Sequence, residues 1–271
     1  MKKHCVCTKW LLIVKSYAFI MSYRKSREFQ KMAVILLANK KGGCGKSMTA
    51  YGLAVAAAHK GKKVCLVDCD TNETCHSNVR RRNDYNEQNA EQEAKQVPFI
   101  KSELKRPDDN IAKDLQELDT FYDVVVVDTG GYENRAFKTG ITVADVIYMP
   151  FQPCFADMEQ LAPTIKVIAE TEMFIRNSVP DYSIDARLLV ALSQHNGQDL
   201  IKSAKEEAKS LLPYCSLSSC VIGFVKAVQQ LQPFGLALND AKHPKRAMYE
   251  LLLSEALGER SVAYQRGTQL D

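Results

Sequence analysis

A glycine-rich segment between an apolar run and a helix-like stretch constrains the fold of this chain more than any other part of its sequence. The apolar run, Ala33–Ala38, predicts a buried strand. The segment that follows, Asn39–Ser47, reads Asn-Lys-Lys-Gly-Gly-Cys-Gly-Lys-Ser. The residues from Lys46 to Lys60 form an Ala- and Leu-rich pattern that predicts a helix ended by Gly61. This order indicates the strand-loop-helix unit of a parallel sheet.

The composition of the loop indicates what it binds. Glycines let the backbone curl so that successive N–H groups point at one anion, and the helix N-terminus adds a partial positive charge there. Lys46 would reach the β- and γ-phosphates of a nucleotide, and the Ser47 hydroxyl would ligate Mg²⁺. The sequence therefore predicts a phosphate site at this loop.

Two further apolar runs end in acidic residues. Lys63–Val67 is followed by Asp68 and Asp70, and Asp123–Val127, with four consecutive valines, is followed by Asp128. Because the carboxyl ends of parallel strands meet at one edge of a sheet, we expect these carboxylates to lie beside the loop.

The remaining pattern alternates predicted strands with predicted helices, which indicates a parallel sheet covered on both faces. The further predicted strands are Asp145–Met149, Arg187–Leu192 and Cys220–Gly223. The further predicted helices are 155–173, with Pro163 starting or bending it, Gln198–Leu212 and Pro244–Leu257. Residues 83–96 are polar and suit a solvated helix or loop.

The loop departs from the usual pattern G-x-x-x-x-G-K-[ST], because Lys40 stands where that pattern has glycine. With its extra lysine, Lys41, it resembles the deviant phosphate loop of the partition-ATPase family of the ParA and MinD type. The D-x-D segment and the valine strand agree with that family in order and spacing. The resemblance runs from about Met32 to Leu257, weakest over 72–118, and implies an α/β, P-loop NTPase-like three-layer sandwich.

The resemblance also implies roles for individual residues. The catalytic residues would be Lys41, Lys46 and Asp70, with Asp70 positioning the attacking water. Contacts to ATP are implied for Lys41, Gly42, Gly43, Cys44, Gly45, Lys46, Ser47, Met48, Gly130 and Asn196. The Mg²⁺ position is implied for Ser47, Asp68 and Asp128. For the segment Gln194-His195-Asn196, an ordinary polar loop is the alternative to contact with adenine.

Two departures from the family pattern bear on ATP turnover. Met48 replaces a common second hydroxyl, which removes one hydrogen bond to the α-phosphate worth about 1 kcal/mol net. Thr71-Asn72 stands where the family often has Pro-Gln. We expect ATP binding to survive, since backbone donors remain, and turnover to be altered.

The function implied by the resemblance is partition of DNA by a weak ATPase. ATP would drive a sandwich homodimer in which Lys41 reaches the partner's phosphates, and the dimer would bind DNA non-specifically. A small centromere-binding adaptor protein would stimulate hydrolysis. The candidate DNA contacts are Lys202, Lys205, Lys209, Lys226, Lys242, Lys245 and Arg246, although solvated lysines are an equal alternative. The run Arg80-Arg81-Arg82 is predicted to be a solvated face, with a DNA or partner contact as the alternative.

Two other functions stay open. One is a related positioning ATPase that works in conjugative DNA transfer or at a membrane site, and the other is a nucleotide-dependent scaffold with negligible turnover. The C-terminal sequence GERSVAYQRGTQLD has little apolar character, which argues against a membrane anchor. A cytoplasmic, nucleoid-associated protein is therefore expected.

The net charge of +4 is unevenly distributed along the chain. Residues 1–31 carry +7, and the remaining 240 residues carry −3, so bulk charge is no evidence for DNA binding. We predict a basic N-terminal extension (1–31), an ATPase domain (32–258) and a C-terminal tail (259–271). The extension is either a short basic arm or untranslated, with translation starting at Met21 or Met32. Nine cysteines without a C-x-x-C pair predict neither a disulfide framework nor a zinc motif.

Overall fold

The computed structural model describes residues 33–131, 134–193 and 198–268 of the chain. The strands within these ranges are β1 (Ala33–Leu37), β2 (Val64–Cys69), β3 (Lys101–Leu104), β4 (Val124–Thr129), β5 (Val146–Phe151), β6 (Ala186–Ser193) and β7 (Ser216–Gly223). They form one sheet in the order β3-β2-β4-β1-β5-β6-β7, and every neighbouring pair runs parallel. The predicted α/β class with a mainly parallel sheet is confirmed.

Helices cover both faces of this sheet. The described α-helices are α1 (Lys46–His59), α2 (Thr74–Gln88), α3 (Ala112–Asp119), α4 (Arg135–Gly140), α5 (Phe155–Arg176), α6 (Gln198–Ala208), α7 (Lys226–Leu231) and α8 (Ala247–Ala256). Alternate side chains of β1 enter different cores. Ile35 and Leu37 belong to the core with α1, α2 and α8, whereas Val34 and Leu36 belong to the core with α3, α4, α5 and α6. In the part of the chain described, no helix combines the length and apolar character that crossing a bilayer requires.

Most predicted elements are confirmed with shifted ends, and the misses have physical reasons. The last strand begins at Ser216 instead of Cys220, because its serines interrupt the apolar pattern. Pro163 lies inside α5 and does not start it. The edge strand β3, of sequence Lys-Ser-Glu-Leu, is not among the predicted strands, because its residues are partly or fully exposed and form no apolar run.

The sheet topology determines where the glycine-rich loop lies. The strand β1 pairs with β4 on one side and with β5 on the other, so the chain order reverses at β1. Ligands of open parallel sheets bind at the carboxyl ends of strands where the order reverses. The loop that leaves β1 therefore occupies the position that this topology favours for a ligand.

Residues beyond α8 pack against the edge of the sheet formed by β7. Tyr264 forms an antiparallel bridge with Leu217, and the Arg266 guanidinium donates to both carboxylate oxygens of Glu172 at 2.7 and 3.0 Å. These contacts cover an otherwise unpaired strand edge. The predicted boundary at residue 258 stays a prediction, but the segment that follows it is bound to the sheet.

Arg82 corrects the prediction of a solvated arginine face. Its side chain is fully buried, and it donates to Asp240 through two nitrogens at 2.7 and 2.8 Å and to the Pro98 carbonyl at 2.9 Å. Burial opposes ionisation of Asp240, but hydrogen bonds from His59 and Arg82 lower its pKa to about 2. Arg80, by contrast, is exposed as predicted. The run of three arginines therefore contains one residue that joins α2 to the segment before α8.

Replacing Arg82 should be far more costly than replacing its exposed neighbour. Arg82→Ala leaves the buried Asp240 carboxylate without its main partner, so we expect a loss of about 3–5 kcal/mol in the free energy of unfolding. Arg80→Ala is the matched control and should change it by no more than about 0.5 kcal/mol. Urea unfolding of both variants is the measurement, and equal losses would contradict this assignment.

The same comparison has a defined pH dependence. The folded pKa of Asp240 lies below its unfolded value, so the pair contributes fully above the ordinary aspartate pKa of about 4. Its contribution is lost as the pH falls through about 2. The difference in stability between wild type and Arg82→Ala should therefore shrink in acid.

Candidate functional site

The glycine-rich loop is shaped for close approach by an anion. Gly43 and Gly45 have φ angles of 76° and 94°, in the left-handed region that favours glycine. The helix α1 begins at Lys46 with no side-chain cap and no acidic residue in its first turn. No cap side chain therefore accepts from its first N–H groups, and no acidic residue of the first turn neutralises the partial positive charge of the helix end.

A second loop packs directly against the first. A Cβ atom added to Gly131 would lie 3.1 Å from the Lys40 carbonyl oxygen, and one added to Gly130 would lie 3.7 Å from the Asp70 Cα atom. The segment after β4 thus lies against both the glycine-rich loop and Asp70. The predicted contact residue Gly130 lies at this junction, where larger side chains would meet the backbone.

Two of the three loop lysines, Lys41 and Lys46, have different partners. The Lys46 ammonium is buried and donates to the Lys41 carbonyl at 3.0 Å, whereas the Lys41 ammonium forms an ion pair with Asp157 at the start of α5. The hydrogen bond to Asp157 raises the pKa of Lys41. Burial works against ionisation of Asp157, yet Lys41 and the Gln152 N–H group hold its pKa below the ordinary value. Both members of the pair are therefore charged at neutral pH.

Three further contacts, none of them predicted from the sequence, fix the loop against β5 and α5. The Asn39 side chain donates to the Pro150 carbonyl at 2.7 Å, and the Gln152 side chain donates to the Gly43 carbonyl at 3.1 Å. The Lys40 N–H group donates to the Thr164 hydroxyl at 3.2 Å. These partners are more than one hundred residues apart in sequence, so no local pattern identifies them.

The carboxylates predicted to lie together do so. Asp68 and Asp128 are fully buried and occupy facing positions of β2 and β4. The two Asp68 oxygens accept hydrogen bonds from the N–H groups of Asp70 at 3.0 Å and His76 at 2.9 Å. Burial raises the pKa of Asp68. At Asp128, burial is again the main cause, the neighbouring Ser47 hydroxyl opposes it, and the pKa is raised to about 7.

The group around Asp128 suits a divalent cation. Its Oδ2 atom accepts from the Cys75 thiol at 3.3 Å, while its Oδ1 atom is buried without a hydrogen-bond partner in the described structure. A buried carboxylate oxygen without a partner is costly, and a cation would satisfy it. The hydroxyl of Ser47 and the carboxylates of Asp68 and Asp128 are hard oxygen donors, which fit Mg²⁺.

Asp70 lies at the partly exposed rim of the site. Its Oδ1 atom accepts from the Asn72 backbone N–H at 3.0 Å and from the Asn72 side chain at 3.1 Å. Asn72 is one of the two departures noted in the sequence, and here it orients the carboxylate. The other departure, Met48, lines an apolar cavity of about 130 Å³ between α1, α2 and the segment that follows β7.

The remaining candidates are the predicted adenine segment and the candidate DNA contacts. Asn196, with Gln194 and His195, lies outside the described residues, so its contact with adenine stays a prediction. The ammonium of Lys209 is 2.8 Å from a Glu206 carboxylate oxygen and 4.9 Å from the centre of the Tyr264 ring. Several candidate DNA contacts remain exposed, among them Lys202, Lys226, Lys242 and Lys245, while Arg246 pairs with Glu250 at 3.1 Å.

Neutralising Asp128 should stabilise the ligand-free protein. A carboxyl group whose pKa is higher in the folded protein than in the unfolded chain makes the protein less stable as the pH rises from about 4 to about 7. The reason is that the unfolded chain releases the proton more readily. We expect Asp128→Asn to raise the free energy of unfolding by about 1–3 kcal/mol at pH 8 and by less at pH 5. Thermal or urea unfolding without nucleotide measures this, with Asp108→Asn as the exposed control. A variant less stable than wild type at pH 8 would contradict the expectation.

Known proteins resemble this chain in sequence and in fold. A family model described as ATPase MipZ matches residues 33–201. Protein ParA of Rhizobium radiobacter is 30% identical over 167 residues, which cover 60% of this chain and 68% of that protein.

Two solved structures share the fold at low sequence identity. A complex of McdA(D38A) with ATP from Cyanothece has a TM-score of 0.62 at 14% identity, covering 86% of this chain and 99% of that one. A putative plasmid partition protein of Borrelia burgdorferi bound to AMPPNP has a TM-score of 0.59 at 18% identity, covering 84% and 100%. At these identities, the likeness to solved structures establishes the fold alone.

Proposed function

The chain belongs to the ATPase MipZ family, and from that premise we propose that it is a partition protein that binds and slowly hydrolyses ATP. The observation that carries the proposal is the position of the glycine-rich loop and the uncapped start of α1 beside Asp68, Asp70 and Asp128. The ParA relative and the nucleotide-bound solved structures support the same assignment.

The residues of the loop have separate tasks in this proposal. The N–H groups of Gly42, Gly43, Cys44 and Gly45 and of the start of α1 hold the phosphates, and Lys46 supplies positive charge to the β- and γ-phosphates. Ser47, Asp68 and Asp128 hold Mg²⁺, which when bound neutralises part of the phosphate charge. Met48 contributes only its backbone N–H group to the α-phosphate, and Asn196 contacts the base.

Asp70 is the residue proposed to position the attacking water. It stands at the rim of the site, and Gly130 leaves the space beside it open. The hydrogen bonds that Asp70 accepts from Thr71 and Asn72 all go to its Oδ1 atom. The other oxygen is the one proposed to accept a hydrogen bond from water.

Lys41 is proposed to act across a homodimer in which ATP lies between two copies of the chain. Within one protomer its ammonium is paired with Asp157. Dimer formation would require this ion pair to break, so that the lysine can contact the phosphates bound to the partner. The ATP-dependence of the dimer then follows from the charge that the lysine would meet there.

Removal of the Lys41 side chain should separate nucleotide binding from dimerisation. We expect Lys41→Ala to bind ATP but to remain monomeric, because the donors of the loop backbone and Lys46 are unchanged. Light scattering with and without ATP is the measurement, and Lys40→Ala is the matched control. Normal ATP-dependent dimers in Lys41→Ala would refute this role.

Releasing Lys41 from its intramolecular partner should have the opposite effect. Asp157→Asn removes the charge that holds the lysine, so we expect dimers to form at a lower ATP concentration than in wild type. Glu159→Gln, on the same helix, is the control. An unchanged or raised ATP requirement would show that the pair does not restrain dimerisation.

The role of Asp70 distinguishes an enzyme from a scaffold. We expect Asp70→Ala to bind ATP with an affinity near that of wild type but to release phosphate at least about tenfold more slowly, because one positioned acid-base group contributes about 10²–10⁴-fold. Phosphate release is measured with a coupled assay. Equal rates would favour the alternative function, a nucleotide-dependent scaffold, for which the contacts between Asn72 and Asp70 are the specific observation.

The cargo and partners belong to the same proposal. The dimer is proposed to bind DNA non-specifically through the exposed lysines, among them Lys226 and Lys245, and to be released by a centromere-binding adaptor. A cytoplasmic, nucleoid-associated location follows.

Because phosphate contacts release counterions, DNA affinity should fall steeply with salt. The affinity of the full chain is compared with that of a chain starting at Met32, which separates binding by the dimer from binding by residues 1–31.

A further inference from the structure

A thiol lies inside the cation position of the proposed nucleotide site. Cys75, near the start of α2, is fully buried, and its Sγ atom lies 3.3 Å from Asp128 Oδ2 and 3.2 Å from the Ser47 carbonyl oxygen. The candidate ligand atoms of Asp68, Cys75 and Asp128 all lie within 4.8 Å of one another. Nothing in the proposed ATPase chemistry requires sulfur at this place.

The second observation is the orphaned oxygen of Asp128. Its Oδ1 atom is buried and has no hydrogen-bond partner within the described structure, although Oδ2 has the Cys75 thiol. Unpaired carboxylate oxygens are rarely buried unless a cation completes their coordination. The donor set is therefore incomplete as the protein alone presents it, and what it lacks is positive charge.

The chemistry of the three side chains is not that of a pure magnesium site. Mg²⁺ takes oxygen ligands almost exclusively, whereas thiolate ligands select zinc and similar soft or borderline ions. Catalytic zinc sites commonly have three protein ligands and one open position, with Zn–S near 2.3 Å and Zn–O near 2.0 Å. Tetrahedral bonds of these lengths place sulfur and oxygen roughly 3.5 Å apart. The measured separation of Cys75 Sγ and Asp128 Oδ2, 3.3 Å, is close to that value.

We propose that Asp68, Cys75 and Asp128 bind a thiophilic divalent cation of the zinc class and that this ion competes with Mg²⁺ for the nucleotide site. The competition rests on the proposed function, whereas the site itself rests on the three side chains. Binding converts the Cys75 thiol to a thiolate, and its proton passes to the buffer. The protein would then respond to the availability of zinc through the same carboxylates that serve ATP binding.

The test uses the full chain without nucleotide and cobalt(II) as the spectroscopic probe. A thiolate bound to Co²⁺ gives a sulfur-to-cobalt charge-transfer band in the near ultraviolet. We expect this band to saturate at one equivalent in the wild type, to disappear when Zn²⁺ is added and to be absent in Cys75→Ser. Cys69→Ser is the matched control, because Cys69 is a buried thiol of the neighbouring strand outside this group, and it should keep the band.

Several results would overturn the proposal. The first is absence of the band in the wild type, and the second is a band of unchanged intensity in Cys75→Ser. The third is loss of the band in Cys69→Ser, provided that circular dichroism shows this variant to be folded. Should Cys75→Ser fail to fold, Asp68→Asn provides the second variant, since it keeps the thiol and should bind Co²⁺ at least about tenfold more weakly. An unchanged Co²⁺ affinity in Asp68→Asn would count against the site.

The outcome is independent of the proposed ATPase function. The cobalt titration contains no nucleotide, so a chain that did not bind ATP would still show the band if the site exists. Conversely, a chain that binds ATP with Mg²⁺ but gives no cobalt band keeps its proposed function and loses this inference. Competition between Zn²⁺ and Mg²⁺ is measured separately, with a fluorescent ATP analogue. If the ions compete, adding Zn²⁺ raises the Mg²⁺ concentration that is needed for the analogue to bind.

Discussion

The burial of the Asp128 carboxylate opposite the start of α1 is the constraint on which the rest of the site depends. The sheet places this group beside Asp68, with no access to bulk water, and one of its oxygens has no hydrogen-bond partner among the described residues. Burying a carboxylate costs free energy unless a cation, a proton or a hydrogen-bond donor compensates its charge. The uncapped helix end and the glycine loop next to it offer the complementary feature, a place for an anion. A nucleoside triphosphate would place its phosphates at the helix end, and its bound cation would neutralise the buried carboxylate.

The position of Lys41 gives the site a second property. Lys46 is buried within the loop, but the Lys41 ammonium is paired with Asp157 on α5. The loop is also fixed to β5 and α5 by Gln152 and Thr164. A change at the phosphates would therefore be transmitted to α5 through these contacts. The same helix carries Asp157, the partner of the lysine that is proposed to act in the dimer.

The parts of the fold that the sequence predicts are those with local patterns. Continuous apolar runs identify β1, β2 and β4, and the glycine spacing identifies the loop, because both signals lie within a few neighbouring residues. The exposed strand β3 has no such run. The charged neighbours of Arg82 favour a solvated face, yet its partner Asp240 lies 158 positions away. The contacts of Asp157 with Lys41 and of Cys75 with Asp128 span 116 and 53 positions, so only the folded chain brings these residues into the site.

The central claim, that the loop, the helix end and the buried carboxylates together form a nucleotide site, is tested most directly by calorimetry. ATP is titrated into the full-length chain in the presence of Mg²⁺ and again in the presence of a chelator. One ATP per chain, with binding clearly weaker when Mg²⁺ is withheld, is the predicted result. No binding with Mg²⁺ present, or binding that is indifferent to the chelator, would contradict it.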